Sequence, residues 1–407
     1  MASQASTVSQ LNGLFKQSYG DNIVNLVPDG VKLYKMIDFI SHEKRTGDLY
    51  HQPVSLTLEH GFTYGGTGGS VFNLEAANAG VMKDAQVQGH EMVLRSAISI
   101  GAVSRSLNSA TSFEKATKHL VANMLRSFTR RLEVQMLYGK RGLATVGSLS
   151  GQAAVINADF WAPGIWSGAE GMRVDVYQSD RSTVRVLDLE ISSVAFDTRT
   201  ITFVANAGTL TAGDILYYKG SNSNEFDGVE SIIRNTGTIF NINAASYNLW
   251  QGSVVTAAVD ISFELITNGL TKLVEKGLVE RKVQCLIHPK QFDVLLADLA
   301  SKRSFDQSYK SGEAVDGHKA IKFFSQNGEI EVIPSIYVKQ SHAFILCLEE
   351  FMRVGARDVS FDMPGYEGEF FRLLSDSNGY ELRAYTDQAL LCQAPGLQCL
   401  IEDLNIP

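Results

Sequence analysis

Residues 54–72 read Val54-Ser55-Leu56-Thr57-Leu58-Glu59-His60-Gly61-Phe62-Thr63-Tyr64-Gly65-Gly66-Thr67-Gly68-Gly69-Ser70-Val71-Phe72. Val54, Leu56, Leu58, Phe62 and Tyr64 alternate with polar residues, which is the two-residue period of a strand. The glycines at 65, 66, 68 and 69 make a tip. A second strand-like run returns through Met92, Leu94, Ile98 and Ile100. From Thr111 the period becomes helical and holds to Gly139. A two-stranded arm is marginal in water because it cannot bury both faces against itself. Such an arm needs a cover, and the expected cover is another copy of the same chain.

The returning limb changes phase. Val81, Ala85 and Val87 place apolar residues on odd positions, whereas Met92, Leu94, Ile98 and Ile100 place them on even ones. A shift of one residue exchanges the two faces, so a bulge or bend is predicted near Gly89. The helix opens at Thr111-Ser112-Phe113-Glu114, a capping-box pattern. Phe113, Thr117, Leu120, Val121, Met124, Phe128, Leu132 and Met136 recur at three- and four-residue steps as one apolar stripe. Gly139 suits a C-terminal stop, and the span from Ser112 would measure about 42 Å. The opposite face carries Lys115, Lys118, Arg126, Arg130, Arg131, Lys140 and Arg141 against Glu114 and Glu133. It reads as a solvated or intersubunit face. Any nucleic-acid contact it made would be to phosphates and independent of sequence.

Residues 1–50 show little periodicity, with a turn at Pro28-Asp29-Gly30. Within 170–220, short β runs (Val184 to Val194, Ile201 to Val204, Ile215 to Tyr218) are separated by turn signals at Asp197–Thr200 and Ala212–Asp214. That spacing predicts a small all-β, barrel-like insertion. Helices are predicted at 258–277 and from Lys290 to Arg303, and strands at 330–338 and 342–348. A further alternating stretch closes the chain from Phe370 to Leu400.

The 407 residues suggest two or three domains. At 44% hydrophobic and 20% charged, the chain can build an ordinary core. A net charge of −8 argues against a nucleic-acid-binding composition overall. No apolar run approaches the ~18 residues that span a bilayer. Met1 to Gln10 is polar and uncharged, so no secretory signal is expected. Cys285, Cys347, Cys392 and Cys399 lack CxxC spacing and are expected as free thiols.

Catalytic motifs are missing from the same sequence. After the glycine cluster stand Val71 and Phe72, where a phosphate loop needs Lys followed by Ser or Thr, so the cluster reads as a hairpin tip. His42, His51 and His60 are spaced by nine, and neither HxxxH nor HExxH occurs. Gly147-Ser148-Leu149-Ser150-Gly151 is a small-residue loop rather than a nucleophile elbow. The adjacent carboxylates Glu349-Glu350 and Glu402-Asp403 would point to opposite faces of a strand, which makes them poor acid–base partners. No catalytic, cofactor or metal-binding residue is assigned.

Three stretches in order carry a resemblance. They are Val54 to Ile100 running into the helix Ser112–Gly139; Phe226-Asp227-Gly228-Val229 through Thr236-Gly237-Thr238 to Trp250; and Tyr385-Thr386-Asp387-Gln388-Ala389 to Ala394-Pro395-Gly396. The chain resembles the major capsid proteins of tailed bacteriophages with the Hong Kong 97-like fold. The resemblance implies an α+β chain with an N-terminal arm (1–45) and an extended loop (46–105) lying across a neighbouring subunit. A peripheral domain with a spine helix (106–150) would be completed by 351–407. A β-rich insertion (165–224) and an axial domain around capsomer centres (225–350) would lie between them.

The resemblance also implies a function. The chain would self-assemble into an icosahedral shell enclosing a double-stranded DNA phage genome, as the virion capsid assembled in the host bacterial cytoplasm. Its implied partners are copies of itself in hexameric and pentameric capsomers, a portal, packaged DNA held non-specifically and a possible decoration protein, with no membrane and no cofactor. Some members begin with a helical scaffolding segment. This chain starts with the arm, so a separate scaffolding protein is expected. Phe62, Tyr64, Phe72, Glu75 and Lys83 would make intersubunit loop contacts. Lys115, Lys118, Arg126, Arg130 and Arg131 would lie on an inner face or interface. Some members crosslink a loop lysine to a neighbour's asparagine. Lys83 is the only lysine between Lys44 and Lys115, and no motif here supports the reaction. Two other readings are a bacterial nanocompartment shell enclosing a cargo enzyme and a β-rich hydrolase with a glycine-rich lid.

Overall fold

Strand alternation at the base of the arm builds an antiparallel ribbon of β1 (Leu49–Ser55) and β2 (Met82–Gln88), paired from Leu49↔Gln88 to Ser55↔Met82. The computed structural model describes residues 30–40, 49–69, 71–101, 116–206, 208, 210–297, 321–362, 371–374 and 377–407. The strand predicted to run on to Tyr64 stops at Ser55, and the limb that returns to it is β2 rather than Met92–Ile100. Those later residues form β3 (His90–Ser99), which pairs in another sheet with β19 (Gly379–Cys392). The phase change marks this exchange of partners. Ala85 and Val87 are buried in β2, and in β3 the even positions turn inward. Between the strands, a Cβ on Gly89 would meet Asp387 Oδ1, so any larger residue at the crossing point requires the Asp387 side chain to move.

The β-rich unit is a closed six-stranded barrel, ordered β4 (Ala144–Ser150), β5 (Ala153–Ile156), β8 (Thr200–Phe203), β7 (Val184–Ala195), β6 (Arg173–Tyr177), β9 (Ile215–Tyr218). It begins at Ala144, ahead of the expected 165. The stretch Gly147–Gly151, read as a loop, is mostly the end of β4. Its small polar residues and a register shift between Val146 and Ser148 hid the strand period. A two-residue turn at Phe240 and Asn241, both at positive φ, joins β10 (Thr238–Ile239) to β11 (Ile242–Asn243). Phe240 C=O accepts from Gln86 N–H at 3.0 Å, propping the arm's base.

A mixed six-stranded sheet runs β12 (Ser253–Thr256), β20 (Cys399–Glu402), β16 (Ala343–Leu346), β13 (Val283–Ile287), β15 (Gly328–Pro334), β14 (Ile321–Ser325). Ala343-Phe344-Ile345-Leu346 is buried throughout, as in a strand covered on both faces. Helix Phe263–Val274 packs on this sheet and is capped by Ser262 Oγ accepting from Leu265 N–H at 3.1 Å. Helix Pro289–Ala297 contributes buried Leu295 to the same core. The four cysteines are buried and free, as expected. In the fourth sheet, β19 carries β3 along one edge. The other edge takes β18 (Phe371–Leu373) and then β17 (Phe351–Ser360).

The long helix is described from Ala116 to Tyr138; its predicted capping box, Thr111–Glu114, lies outside the described residues. Met124, Phe128, Leu132 and Met136 are buried, as the stripe predicts. At its end Lys140, not Gly139, takes the left-handed conformation, at φ 64. Gly139 is required for space, because a Cβ there would meet the Phe226 carbonyl oxygen.

Beyond that end the barrel, the long helix and the six-stranded sheet meet at a buried carboxylate. Glu230, on helix Val229–Arg234, has Arg234 Nε at 3.0 Å and Arg141 Nε and Lys339 Nζ each at 3.6 Å. Arg234 also bonds Glu402 of β20. Burial pushes the Glu230 carboxyl up, but Lys339, His342, Arg234 and Arg141 outweigh it and hold it well below the usual range. Burial pushes Lys339 down to about 8 against the pull of Glu230.

Burial likewise pushes His288 and His342 each down to about 4, from 6.5. In the window between those values the unfolded chain binds protons that the folded chain refuses, so stability falls as pH falls. By pH 5 the two histidines should each cost about 2 kcal/mol. Urea midpoints should therefore drop between pH 6.5 and 5, and His342→Gln should remove about half of that slope. A midpoint independent of pH in this window would show that neither imidazole is held neutral.

Candidate assembly surface

Beyond β1 and β2 the two limbs of the arm continue side by side without a strand ladder. Leu56 N–H donates to Val81 C=O and His60 N–H to Asn78 C=O, both at 2.9 Å. Threonines bridge other points. Thr57 Oγ1 accepts from Val81 N–H and Thr63 Oγ1 from Glu75 N–H, each at 2.8 Å. Gly66 and Gly69 turn the tip at φ 67 and 59, a conformation that glycine adopts freely.

Along this segment the apolar side chains face solvent. Tyr64 is 91% exposed, Leu74 81% and Phe62 69%, and Leu58, Val71, Phe72 and Met82 are also exposed. Phe62, Tyr64, Phe72 and Glu75 thus share the distal arm. Lys83 sits nearer the base, exposed on β2 opposite Val54. From residue 58 to 81 the only Asp, Glu, Lys or Arg residues are Glu59 and Glu75. The base itself is anchored. Leu56, Ala85 and Val87 are buried, and Gln393 Nε2 donates to Gln52 Oε1 at 3.2 Å. His51 Nδ1 lies 2.5 Å from Asp84 Oδ2, and hydrogen bonds from His51 and Gln86 hold the Asp84 carboxyl below its usual range.

The basic stripe of the long helix divides. Lys115 lies outside the described residues, Lys118 is exposed and Arg126 is half-buried. Arg130 turns inward, with Nε donating to Tyr337 Oη at 3.0 Å and Nη2 to the Gly164 and Ser167 carbonyls at 2.9 and 2.7 Å. Arg131 stacks on Tyr218, its guanidinium carbon 3.2 Å from the ring centroid. Lys140 pairs with Asp227 at 2.8 Å.

Glu133 does not balance this stripe at the surface. It is 1% exposed and accepts from Lys32, Leu33 and Tyr34 N–H at 3.1, 3.0 and 2.7 Å, capping helix Leu33–Met36. Burial pushes its carboxyl up against those three donors. Arg353, which sequence reasoning passed over, holds the same segment. Its Nε donates to Ile37 C=O at 2.8 Å, its Nη1 to Asp358 at 2.8 Å, and its guanidinium lies over the Tyr34 ring. A signal for Glu133 was present. Leu132-Glu133-Val134-Gln135-Met136-Leu137 is apolar around most of the helix, the pattern of a helix end buried on all sides.

Among the described residues no three His, Cys, Asp or Glu side chains group to hold a metal ion, and no helix is long and apolar enough to cross a membrane.

No protein-family model matches the chain, and no curated protein matches it. Solved structures do. A chain of the cyanophage A-1(L) capsid asymmetric unit superposes with a TM-score of 0.56 at 12% identity, covering 98% of this chain and 99% of that one. A chain of mycobacterium phage Bobi gives 0.51 at 8% identity, over 98% and 99%. The capsid of the native GTA particle gives 0.51 at 7% identity, over 99% and 100%. At these identities the likeness is one of fold. The mixed α/β, sheet-rich fold of this chain matches the fold of phage capsid proteins.

Glu133→Ala should leave the buried Leu33 N–H and the half-buried Lys32 and Tyr34 N–H groups without their acceptor and cost about 2–3 kcal/mol, read as a lower urea midpoint. Glu133→Gln keeps one acceptor oxygen and should cost less. Equal midpoints for the two variants would mean that the carboxylate does not hold the segment.

Proposed function

We propose that this chain is a major capsid protein. Many copies self-assemble into an icosahedral shell that encloses a double-stranded DNA phage genome, with a Hong Kong 97-like subunit architecture. The observation that carries this reading is the arm, whose exposed apolar side chains find no cover among the described residues of the subunit. Contiguous apolar surface of this kind marks a protein interaction site. Full burial of a large apolar side chain is worth about 1.5–3 kcal/mol, so covering the arm favours association by roughly 10 kcal/mol before the entropic cost of assembly. The fold shared with capsid subunits supplies a context in which the cover is another subunit.

On this reading the arm is the extended loop, and Phe62, Tyr64, Phe72 and Glu75 make its intersubunit contacts, with Lys83 near the base. The four-stranded sheet and the long helix form the peripheral domain, and the six-stranded sheet with its helices forms the axial domain around hexameric and pentameric capsomer centres. The barrel is an insertion between them. Lys118 and Arg126 remain candidates for an inner-face contact with phosphates, together with Lys115. Arg130 and Arg131 serve the subunit's own packing. A scaffolding protein and a portal complete assembly in the host bacterial cytoplasm, and the mature shell is the virion capsid. A decoration protein would bind from outside.

The bond from His60 N–H to Asn78 C=O gives a natural closing point for a truncation. Replacing Gly61–Ala77 by an Asn-Gly turn should leave a folded subunit, with an unchanged urea midpoint, that forms no closed particles by electron microscopy. Normal particles from the truncated chain would remove the arm from assembly. Nucleic acid inside particles of the intact chain is expected; an enriched protein cargo would favour a nanocompartment shell instead.

A further inference from the structure

Neighbouring residues on a helix point in different directions, yet Arg130 and Arg131 line one cleft. It measures about 320 Å³ and lies between the long helix, the loop 167–172 and Tyr218 of β9. That volume is at the lower end of small-molecule sites. Arg130 spends its Nε and Nη2 on neutral acceptors, the Tyr337 hydroxyl and the Gly164 and Ser167 carbonyls. Arg131 lays its flat face on the Tyr218 ring. Stacking uses the face of a guanidinium and leaves its in-plane N–H groups open. Among the described residues those groups find no acceptor, and neither arginine forms a salt bridge.

Other donors share the cleft. Tyr218 is 4% exposed, and its hydroxyl has no hydrogen-bond partner among the described residues. Burial pushes that hydroxyl up, which keeps its proton in place for donation. In the loop, the N–H groups of Ser167, Ala169 and Gly171 are taken up by carbonyls, whereas those of Gly168 and Glu170 find no acceptor among the described residues. Opposing charge is weak. Glu170 lines the cleft but is exposed to solvent. Glu225 lines the cavity on the other side of Arg131, where it is buried and accepts from Lys140 N–H at 3.2 Å. A cleft rich in open donors and in positive charge calls for a ligand that only accepts. Carboxylate oxygens lie in one plane and suit a single guanidinium fork, whereas a tetrahedral oxyanion offers acceptors toward helix, strand and loop together. We propose that this cleft binds the phosphate group of a small molecule, as inorganic phosphate or a phosphate monoester. The recessed Tyr218 hydroxyl favours a terminal phosphate over one flanked on both sides in a nucleic-acid backbone. Bound there, the group would pin the barrel to the long helix through Arg130, Arg131 and Tyr218. This inference stands independently of the shell function proposed above.

Isothermal titration calorimetry of the intact chain with sodium phosphate tests the proposal, in chloride buffer at constant ionic strength. One saturable site per chain is expected, and glycerol phosphate should compete for it. Arg131→Gln should weaken binding by about tenfold or more. Tyr218→Phe keeps the ring beneath Arg131 and should weaken binding severalfold, with an unchanged urea midpoint in phosphate-free buffer; it decides the matter if Arg131→Gln does not fold. Arg173→Gln removes the same charge from an ion-paired position on the barrel outside the cleft and should leave binding unchanged. The absence of saturable binding overturns the site, and so does binding that Arg173→Gln weakens as much as Arg131→Gln and Tyr218→Phe do. A short DNA duplex that binds through Arg131 where neither phosphate nor glycerol phosphate does would make the cleft a backbone contact and overturn it as well.

Discussion

A pair of chain limbs that exposes both its backbone and its large apolar side chains cannot be at its free-energy minimum in water. The arm of this protein is built that way from Leu58 to Met82. Threonine hydroxyls stand in at two points where a hairpin would have main-chain bonds, so the limbs stay together without closing a ladder. That economy leaves the outer main-chain groups open to a partner. The arm is stable enough to project and incomplete enough to require something to lie on.

Projection needs a rigid base, and the remainder of the molecule provides one. At Gly89 the chain leaves the arm and enters the four-stranded sheet within a single residue. Glu133 and Arg353 tie residues 32–37 to the long helix and to β17. Further in, Glu230 gathers Arg234 from its own helix, Arg141 from the turn between the long helix and the barrel, and Lys339 from the loop between β15 and β16, while Arg234 also reaches Glu402 of β20, so these parts share one electrostatic joint. Removing one member of such a joint leaves buried charge unpaired, which typically costs more than the joint contributes when whole. The joint therefore fixes relative geometry more than it adds stability.

The sequence announced those parts whose signal is local. Helical spacing from Leu120 to Met136, turn spacing across 184–218 and the phase change at Gly89 each depend on neighbours in the chain, and each corresponds to a real feature. Long-range partnership was not legible. Alternation at Met92–Ile100 identifies a strand but not its partner, so β3 was attached to the arm when it belongs beside β19. The basic stripe on the long helix had the same weakness. Counting charges could not reveal that Arg130 reaches Tyr337 or that Glu133 caps a helix 100 residues earlier. The exposure of the arm was foreseeable, since its apolar alternation came with no second apolar surface in the neighbouring sequence to receive it.

Backbone hydrogen exchange, compared between assembled and dissociated protein, bears most directly on whether the arm is completed by another copy of the chain. Amides of residues 57–80 should exchange rapidly in the dissociated subunit and become protected by at least tenfold on assembly, while amides of the six-stranded sheet stay protected in both states. Equally fast exchange of the arm in both states would contradict the account.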